Sequence, residues 1–187
     1  GIAFVDAKDG TIDIHCESNE AVRRMFLPGH LGWWAVNRWS GIQGEPTYSD
    51  DIEYLCAKAL GNDVGISVMG IDPVGLKTVP VFERLAGILR QYEDLRRGVY
   101  FDEAVKAKLR EPGKEFTLFR EPSGRWRFRR AGHAKHKVEA IDGASNAWTA
   151  ENPFGEQPLG LRIEALTSAG PYDAPGSVTL ADFAGPN

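Results

Sequence analysis

Short apolar runs alternate with amphipathic stretches in the first half of the chain, which predicts strands that alternate with helices. Residues 31–36 (LGWWAV) and 65–71 (GISVMGI) are almost continuously apolar, as strands buried on both faces of a parallel sheet are. Between them, residues 49–60 (SDDIEYLCAKAL) repeat apolar side chains at i, i+3, i+4, i+7 and i+8, which predicts a helix with one buried face. Ser49 is the expected N-cap of this helix, and Gly61 is expected just beyond its C-terminus.

Flanking segments extend the same order. Residues 1–7 (GIAFVDA) and 11–16 (TIDIHC) have the spacing of short strands, and residues 18–26 then predict a short helix with Ser18 as its N-cap. Residues 80–97 carry an apolar stripe and begin with a proline, which the first turn of a helix tolerates. Strands and helices in this alternation predict βα units with right-handed crossovers and parallel strands.

Gly98 interrupts the helical pattern, and beyond residue 113 the spacing changes from helical to strand-like. A short helix is predicted over residues 102–109, and Glu111-Pro112-Gly113 marks the expected domain boundary. Strands are predicted on both sides of a Glu-Pro-Ser-Gly turn and three more times toward the C-terminus; their ranges are 115–120, 125–130, 135–141, 159–166 and 177–183. Several short strands among Gly and Pro turns predict a small antiparallel β-sandwich.

The fold class expected from this order is α/β followed by all-β. A complete β/α barrel takes about 250 residues, whereas the chain has 187 residues and starts with Gly1. We therefore expect residues 1–111 to be a partial barrel, made of its C-terminal βα units and completed by sequence outside this chain. Residues 112–187 are expected to form a β-sandwich accessory domain.

Composition and charge narrow the range of partners. The net charge is −4, so the chain has no general attraction for nucleic acid or anionic membranes, and no apolar run approaches the roughly 18 residues of a membrane span. Arginines interleave with Trp126 and Phe128 over residues 125–130. This pattern can bind single-stranded nucleic acid, but in an acidic chain it is better explained as an amphipathic strand with a solvated face. Neither nucleic acid nor a membrane is an expected partner.

The sequence predicts no metal or other cofactor. Cys16 and Cys56 lie within apolar patterns, which is typical of buried free thiols. His133 and His136 are three residues apart, but no third ligand follows at a spacing typical of metal sites.

Candidate catalytic groups were sought after each predicted strand, because β/α barrels carry their active sites at the carboxyl ends of the strands. If the strand over residues 11–16 continues to Glu17, alternation places Asp13, His15 and Glu17 on one side of it. A carboxylate there could act as a nucleophile or as a general acid/base. The alternative is that Glu17 only precedes the next helix and stabilises its N-terminus.

A carbohydrate subsite is predicted directly after the second strand. Trp39 in a loop could stack on the apolar face of a sugar, and Asn37 and Arg38 could bond its hydroxyl groups. The alternative is a loop anchored by a buried Trp39.

Two further candidates complete the predicted site. Trp33 and Trp34 point to opposite faces of their strand, so at most one of them faces the substrate, and Trp34 is taken as that candidate. Asp72 follows the third strand and is a candidate substrate contact. Its alternative is a turn, because Asp before Pro commonly begins one.

The stretches GHLGWWAVNRW, SDDIEYLCAKAL with GISVMGI behind it, and NPFGEQPLGLRIEAL together resemble the C-terminal part of a bacterial glycoside hydrolase. The family is the α-galactosidase-like type, in which a (β/α)8 barrel is followed by a β-sandwich. The resemblance implies hydrolysis by two carboxylates, with either retention or inversion. If the three predicted strands that end near Glu17, Val36 and Ile71 are the last three strands of the barrel, the resemblance implies that Glu17 follows the sixth strand and is the acid/base. Asp13 is the second catalytic candidate.

That resemblance also implies that the other carboxylate follows the fourth strand, which this chain lacks, so the isolated chain is expected to be inactive. The expected function is that of the C-terminal portion of a carbohydrate-active hydrolase, acting on a carbohydrate substrate. Its expected partner is the N-terminal remainder of the enzyme, in the same or a separate chain, and its expected location is extracellular or periplasmic. The alternative is a non-catalytic carbohydrate-binding or structural module.

Overall fold

The computed structural model describes residues 2–4, 10–22, 29–36, 47–78, 80–134, 136, 142–144 and 146–160. The elements in these ranges are, in chain order, β1 (Ile2–Phe4), α1 (Thr11–Val22), β2 (His30–Ala35), α2 (Ser49–Asn62), β3 (Gly65–Met69), α3 (Pro73–Thr78), α4 (Pro80–Arg97), α5 (Glu103–Arg110), β4 (Glu115–Arg120) and β5 (Trp126–Ala131).

The first three strands form one parallel sheet in the order β1-β2-β3. Trp34 pairs with Val68, and the preceding residue, Trp33, pairs with Ser67. Trp34 is 1% exposed and Trp33 is 56% exposed, so the helices cover the face that carries Trp34. The parallel pairing of β2 and β3 confirms the arrangement that their apolar sequences predict.

The first helix corrects the sequence-based expectation. Residues 11–16 were expected to form a strand, but they begin α1, and Ser18 lies inside this helix instead of capping a later one. Ile12 and Cys16 are buried one helical turn apart, while Ile14 between them is 63% exposed. Apolar residues at every second position fit both periods here, and packing of α1 against α2 favours the helix.

The predicted central helix is confirmed as α2, but its two ends differ from expectation. Tyr48, not Ser49, is the N-cap, and its backbone N–H donates to Asp51 Oδ2 at 2.8 Å. Gly61 lies inside the helix, and Asp63 has the left-handed conformation (φ 55°) that ends it. A Cβ on Gly61 would lie 3.0 Å from Leu109 Cβ, so this glycine lets α5 pack closely on α2.

The core is built around α2, which contacts α1, α4, α5 and β4. The predicted β4–β5 hairpin is confirmed, and it packs on the same core, because the Phe128 ring lies 5.8 Å from the Tyr92 ring and 4.8 Å from the Phe101 ring. The helix predicted over residues 80–97 is confirmed as α4, and a further short helix, α3, lies directly before it.

Barrel closure and the β-sandwich both stay predictions, as does the domain boundary between them. The later strands were predicted over residues 135–141, 159–166 and 177–183, and all but three of these residues lie outside the described ranges. Within the described ranges, no helix combines the length and apolar character needed to span a bilayer.

Candidate functional site

The carboxyl ends of β2 and β3 lie side by side at one edge of the parallel sheet. Ala35 pairs with Met69, and the Val36 N–H donates to Met69 O at 2.9 Å. Gly70 follows with φ +84°, and a Cβ there would lie 2.7 Å from Val36 O, so only a glycine allows the two backbones to approach this closely. In α/β proteins, ligands bind just outside this edge of the sheet.

Asp72 lies three residues beyond β3 at this edge, and its side chain is exposed. Its Oδ1 accepts hydrogen bonds from the backbone N–H groups of Val74 (2.9 Å) and Gly75 (2.8 Å), which begin α3. Asp72 therefore stabilises the turn predicted from the sequence, and its carboxylate remains exposed to solvent. The predicted subsite residues Asn37, Arg38 and Trp39 lie outside the described residues.

The sheet face opposite the helices carries an exposed aromatic and polar surface. Trp33 is 56% exposed and Met69 is 39% exposed, with His30 and Ser67 beside them. We call these four residues the open face. Parallel sheets are usually covered on both sides, so large exposed side chains on this face depart from the usual arrangement.

Hydrogen bonding fixes the protonation of His30 on the open face. The Gly32 N–H donates to His30 Nδ1 at 3.1 Å, so Nδ1 carries no proton. The proton is then on Nε2, which donates to Ser67 Oγ at 3.1 Å. In this tautomer the imidazole donates to Ser67 and does not accept the Ser67 proton. The Ser67 hydroxyl keeps its own proton to donate to a ligand.

Asp13, a predicted catalytic residue, is engaged in a polar cluster between elements. The Tyr54 hydroxyl donates to Asp13 Oδ2 at 2.7 Å, and the Gly113 N–H donates to the same oxygen at 3.0 Å. Lys58 Nζ lies 3.5 Å from Asp13 Oδ1, and the Lys58 side chain has no exposed surface. Burial lowers the pKa of Lys58, and the Asp13 carboxylate opposes that effect. These contacts hold α1, α2 and the turn before β4 together.

The helical conformation of α1 separates the three residues that a strand would have aligned. Asp13 and Glu17 are one turn apart and line a cleft of about 270 Å³ that α5 closes with Arg110. His15 instead faces β2, where its ring meets the Trp34 ring edge-on at 5.3 Å. The strand geometry that was expected to align Asp13, His15 and Glu17 is therefore wrong, and a catalytic role for Glu17 stays a prediction.

Trp34, taken from the sequence as a substrate contact, is a core residue. It is 1% exposed and lies beneath α1, so no ligand reaches it. Its neighbour Trp33 has the exposed position instead. Alternation along the strand separates the two rings but does not indicate which face the helices cover.

Sequence reasoning missed the buried charges of α2. Burial raises the pKa of Glu53 to about 7, although a hydrogen bond with Thr117 and the nearby His133 both act to lower it. His133 Nδ1 also lies 2.6 Å from Glu115 Oε2. The available signal was that Glu53 and Lys58 are the only charged side chains over residues 52–62, too few to form a solvated face.

Neither a metal centre nor a known relative identifies the site. Among the residues that the structure describes, no three His, Cys, Asp or Glu side chains are grouped as metal ligands. No protein-family model, curated protein or solved structure matches the chain.

Proposed function

We propose that the chain is part of a carbohydrate-active glycoside hydrolase and that it contacts sugar at the carboxyl edge and open face of its parallel sheet. One observation carries the proposal: β2 and β3 are parallel neighbours that end together, and the exposed Trp33 lies on the face away from the helices. Sugar-binding surfaces need an aromatic ring for the apolar C–H face of the ring and polar groups for its hydroxyls.

The order of the strands supports a barrel as the source of this sheet. Three parallel strands lie in the same order as in the sequence, with α1 and α2 in contact with each other. In a β/α barrel, successive βα units are arranged in this way, and the face opposite the helices points inward. The open face would then point into the packed interior of the completed barrel, and its residues nearest the carboxyl edge would be the ones that reach the sugar.

The polar groups around Trp33 fit hydroxyl recognition. Ser67 is the register partner of Trp33 on β3, and its hydroxyl receives a hydrogen bond from His30. This bond orients the Ser67 proton away from His30 and toward an incoming acceptor. At the edge, the exposed carboxylate of Asp72 is an acceptor for a sugar hydroxyl and is the carboxylate that we expect to contact substrate.

Sugar binding by the full 187-residue chain tests the proposal. Methyl α-D-galactoside is titrated while tryptophan fluorescence and one-dimensional proton spectra are recorded. Trp33→Ala should weaken binding about threefold to tenfold, because a ring packed on an aromatic side chain contributes about 0.5–1.5 kcal/mol. Trp148→Ala is the matched control, since Trp148 is also exposed (46%) but stacks on His136 elsewhere in the chain.

Asp72→Asn separates ligand contact from capping, because the amide oxygen can still accept the two backbone hydrogen bonds. We expect weaker sugar binding with unchanged thermal stability. Unaltered affinity in both Trp33→Ala and Asp72→Asn, or failure of the chain to bind the galactoside, would contradict the proposed site.

One observation favours the alternative of a non-catalytic carbohydrate-binding module. The carboxylate of Asp13 is occupied by Tyr54, Gly113 and Lys58, and Glu17 lies on a helix instead of a strand end. Such a module would bind methyl α-D-galactoside but would not release nitrophenol from its p-nitrophenyl analogue in any assembly. Turnover that appears when the remainder of an enzyme is added would favour the hydrolase.

A further inference from the structure

A second cleft lies on the helix side of the sheet, away from the open face. It is bounded by α2, β3 and α4 and has a volume of about 370 Å³, within the usual range for small-molecule sites. Apolar side chains from all three elements line it, among them Leu60, Ile66, Val68 and Leu89. These residues belong to the core or pack against it, so the cleft is a continuation of the apolar interior.

Arginines of α4 line the solvent-facing side of this cleft, where Arg90 and Arg97 are exposed. Arg90, Arg96 and Arg97 line it together with one carboxylate, Glu93. Arg96 donates to both oxygens of Glu93, from Nε at 2.8 Å and from Nη2 at 2.6 Å, and Arg97 Nε donates to Oε1 at 2.7 Å. Three cations against one anion leave a net charge of about +2 at the rim of an apolar cleft.

We propose that this cleft binds an amphipathic monoanion, a carboxylate with an unbranched apolar chain, with the chain in the cleft and the head group at the arginines. The apolar lining excludes a highly charged ligand such as a nucleotide, because its phosphates would have no partners below the rim. The uncompensated arginines favour an anion over a neutral lipid of the same length, since guanidinium groups bind carboxylates through paired hydrogen bonds.

The roles of the three arginines follow from their contacts. Glu93 holds Arg96 and Arg97 in place, and the hydrogen bonds from both arginines lower the pKa of Glu93, which therefore stays charged. Arg90 is exposed one turn before Glu93 and about two turns before Arg97 on the same helix. We assign Arg90 the main contact with the head group and Arg97 a supporting one. This site shares no residue with the proposed sugar site, so either proposal can fail alone.

Calorimetric titration of the full chain with decanoate, and separately with decan-1-ol, tests the inference. The two probes share an apolar chain and differ in charge. Decanoate should bind about tenfold more tightly than the alcohol, and this difference should decrease with added salt. Arg90→Gln should weaken decanoate binding about fivefold, as expected for one partly exposed ion pair, and leave the alcohol unaffected.

Arg84→Gln is the matched control, because Arg84 is an exposed arginine of α4 that does not line the cleft. Its affinity for decanoate should equal that of the unsubstituted chain. Ala59→Met, which extends a side chain into the cleft, should weaken both probes. Equal affinity for decanoate and the alcohol, no binding of decanoate, or equal losses in Arg84→Gln and Arg90→Gln would overturn the proposal.

Discussion

Glu53 shows how burial of a single side chain affects its ionisation. It projects from α2 toward β4, where Thr117 is its hydrogen-bond partner, and His133 and Asp50 are the nearby titratable groups. Burial is the largest cause of the raised pKa, about 7, and Asp50 acts in the same direction. The folded protein therefore holds a proton on Glu53 across a pH range in which an unfolded chain would release it.

The free energy of unfolding should decrease as the pH rises from 5 to 8. Between the unfolded pKa of 4.5 and the folded pKa of about 7, the unfolded chain binds fewer protons than the folded one, so raising the pH favours unfolding. The Glu53 contribution is fully present below pH 4.5 and amounts to about 3 kcal/mol at most.

Urea denaturation at several pH values, on the unsubstituted chain and on Glu53→Gln, measures this effect. The difference between the two proteins isolates Glu53 from other titrating groups such as His133. Identical slopes of unfolding free energy against pH would show that Glu53 is not protonated in the folded state.

At the scale of elements, one polar cluster connects three parts of the fold. Asp13 on α1 contacts Tyr54 and Lys58 on α2, and the Gly113 N–H brings in the turn before β4. Lys58 also donates to Glu111 O in that turn. An ion pair so deeply buried is costly to break, because the remaining charge has no water to replace its partner.

Lys58→Met should lower the free energy of unfolding by about 3 kcal/mol, because it leaves the Asp13 carboxylate without its cation. Glu17→Gln, an exposed carboxylate on the same helix face, is the control and should change stability by less than about 0.5 kcal/mol. Chemical denaturation of both variants measures the difference. Equal stability of Lys58→Met and the unsubstituted chain would mean that the cluster does not join these elements.

The elements differ in how well the sequence pattern predicts them. The pattern over residues 49–60 is unambiguous, since its apolar positions fit only a helix, and the β4–β5 hairpin follows from a clear turn signal. The segment around Asp13 fits both periods. Its contact with Tyr54 is 41 residues away in the chain, so local pattern alone could not reveal the interaction that favours a helix.

At the scale of the whole molecule, helices pack on only one face of the described part of the sheet. The carboxyl edge, with Asp72 beyond it, was predictable from the order of strands. The sequence could not show that Trp33 is the exposed ring and Trp34 the buried one, because this depends on which face the helices cover. Exposure of Trp33 and Met69 leaves an apolar surface of the kind that promotes association.

In dilute solution we expect the chain to be a monomer of 20.6 kDa. As its concentration rises, we expect it to associate reversibly. Sedimentation equilibrium should show the apparent mass increasing with concentration, and Trp33→Lys should restore monomeric behaviour by placing a charge on the open face. Leu159→Lys is the control, because Leu159 is more exposed (77%) but lies outside the sheet. A constant monomer mass at all concentrations would contradict this expectation.

Trp33 and Trp34 also give the protein two spectroscopic reporters at consecutive positions. An indole in water emits at longer wavelength and is quenched by iodide, whereas one in a packed interior emits at shorter wavelength and is protected. Trp33 therefore reports when a ligand or another protein covers the sheet, and Trp34 reports when the interior loosens. With the other three tryptophans replaced by Phe, these two adjacent residues would distinguish occupancy of a surface from loss of the fold.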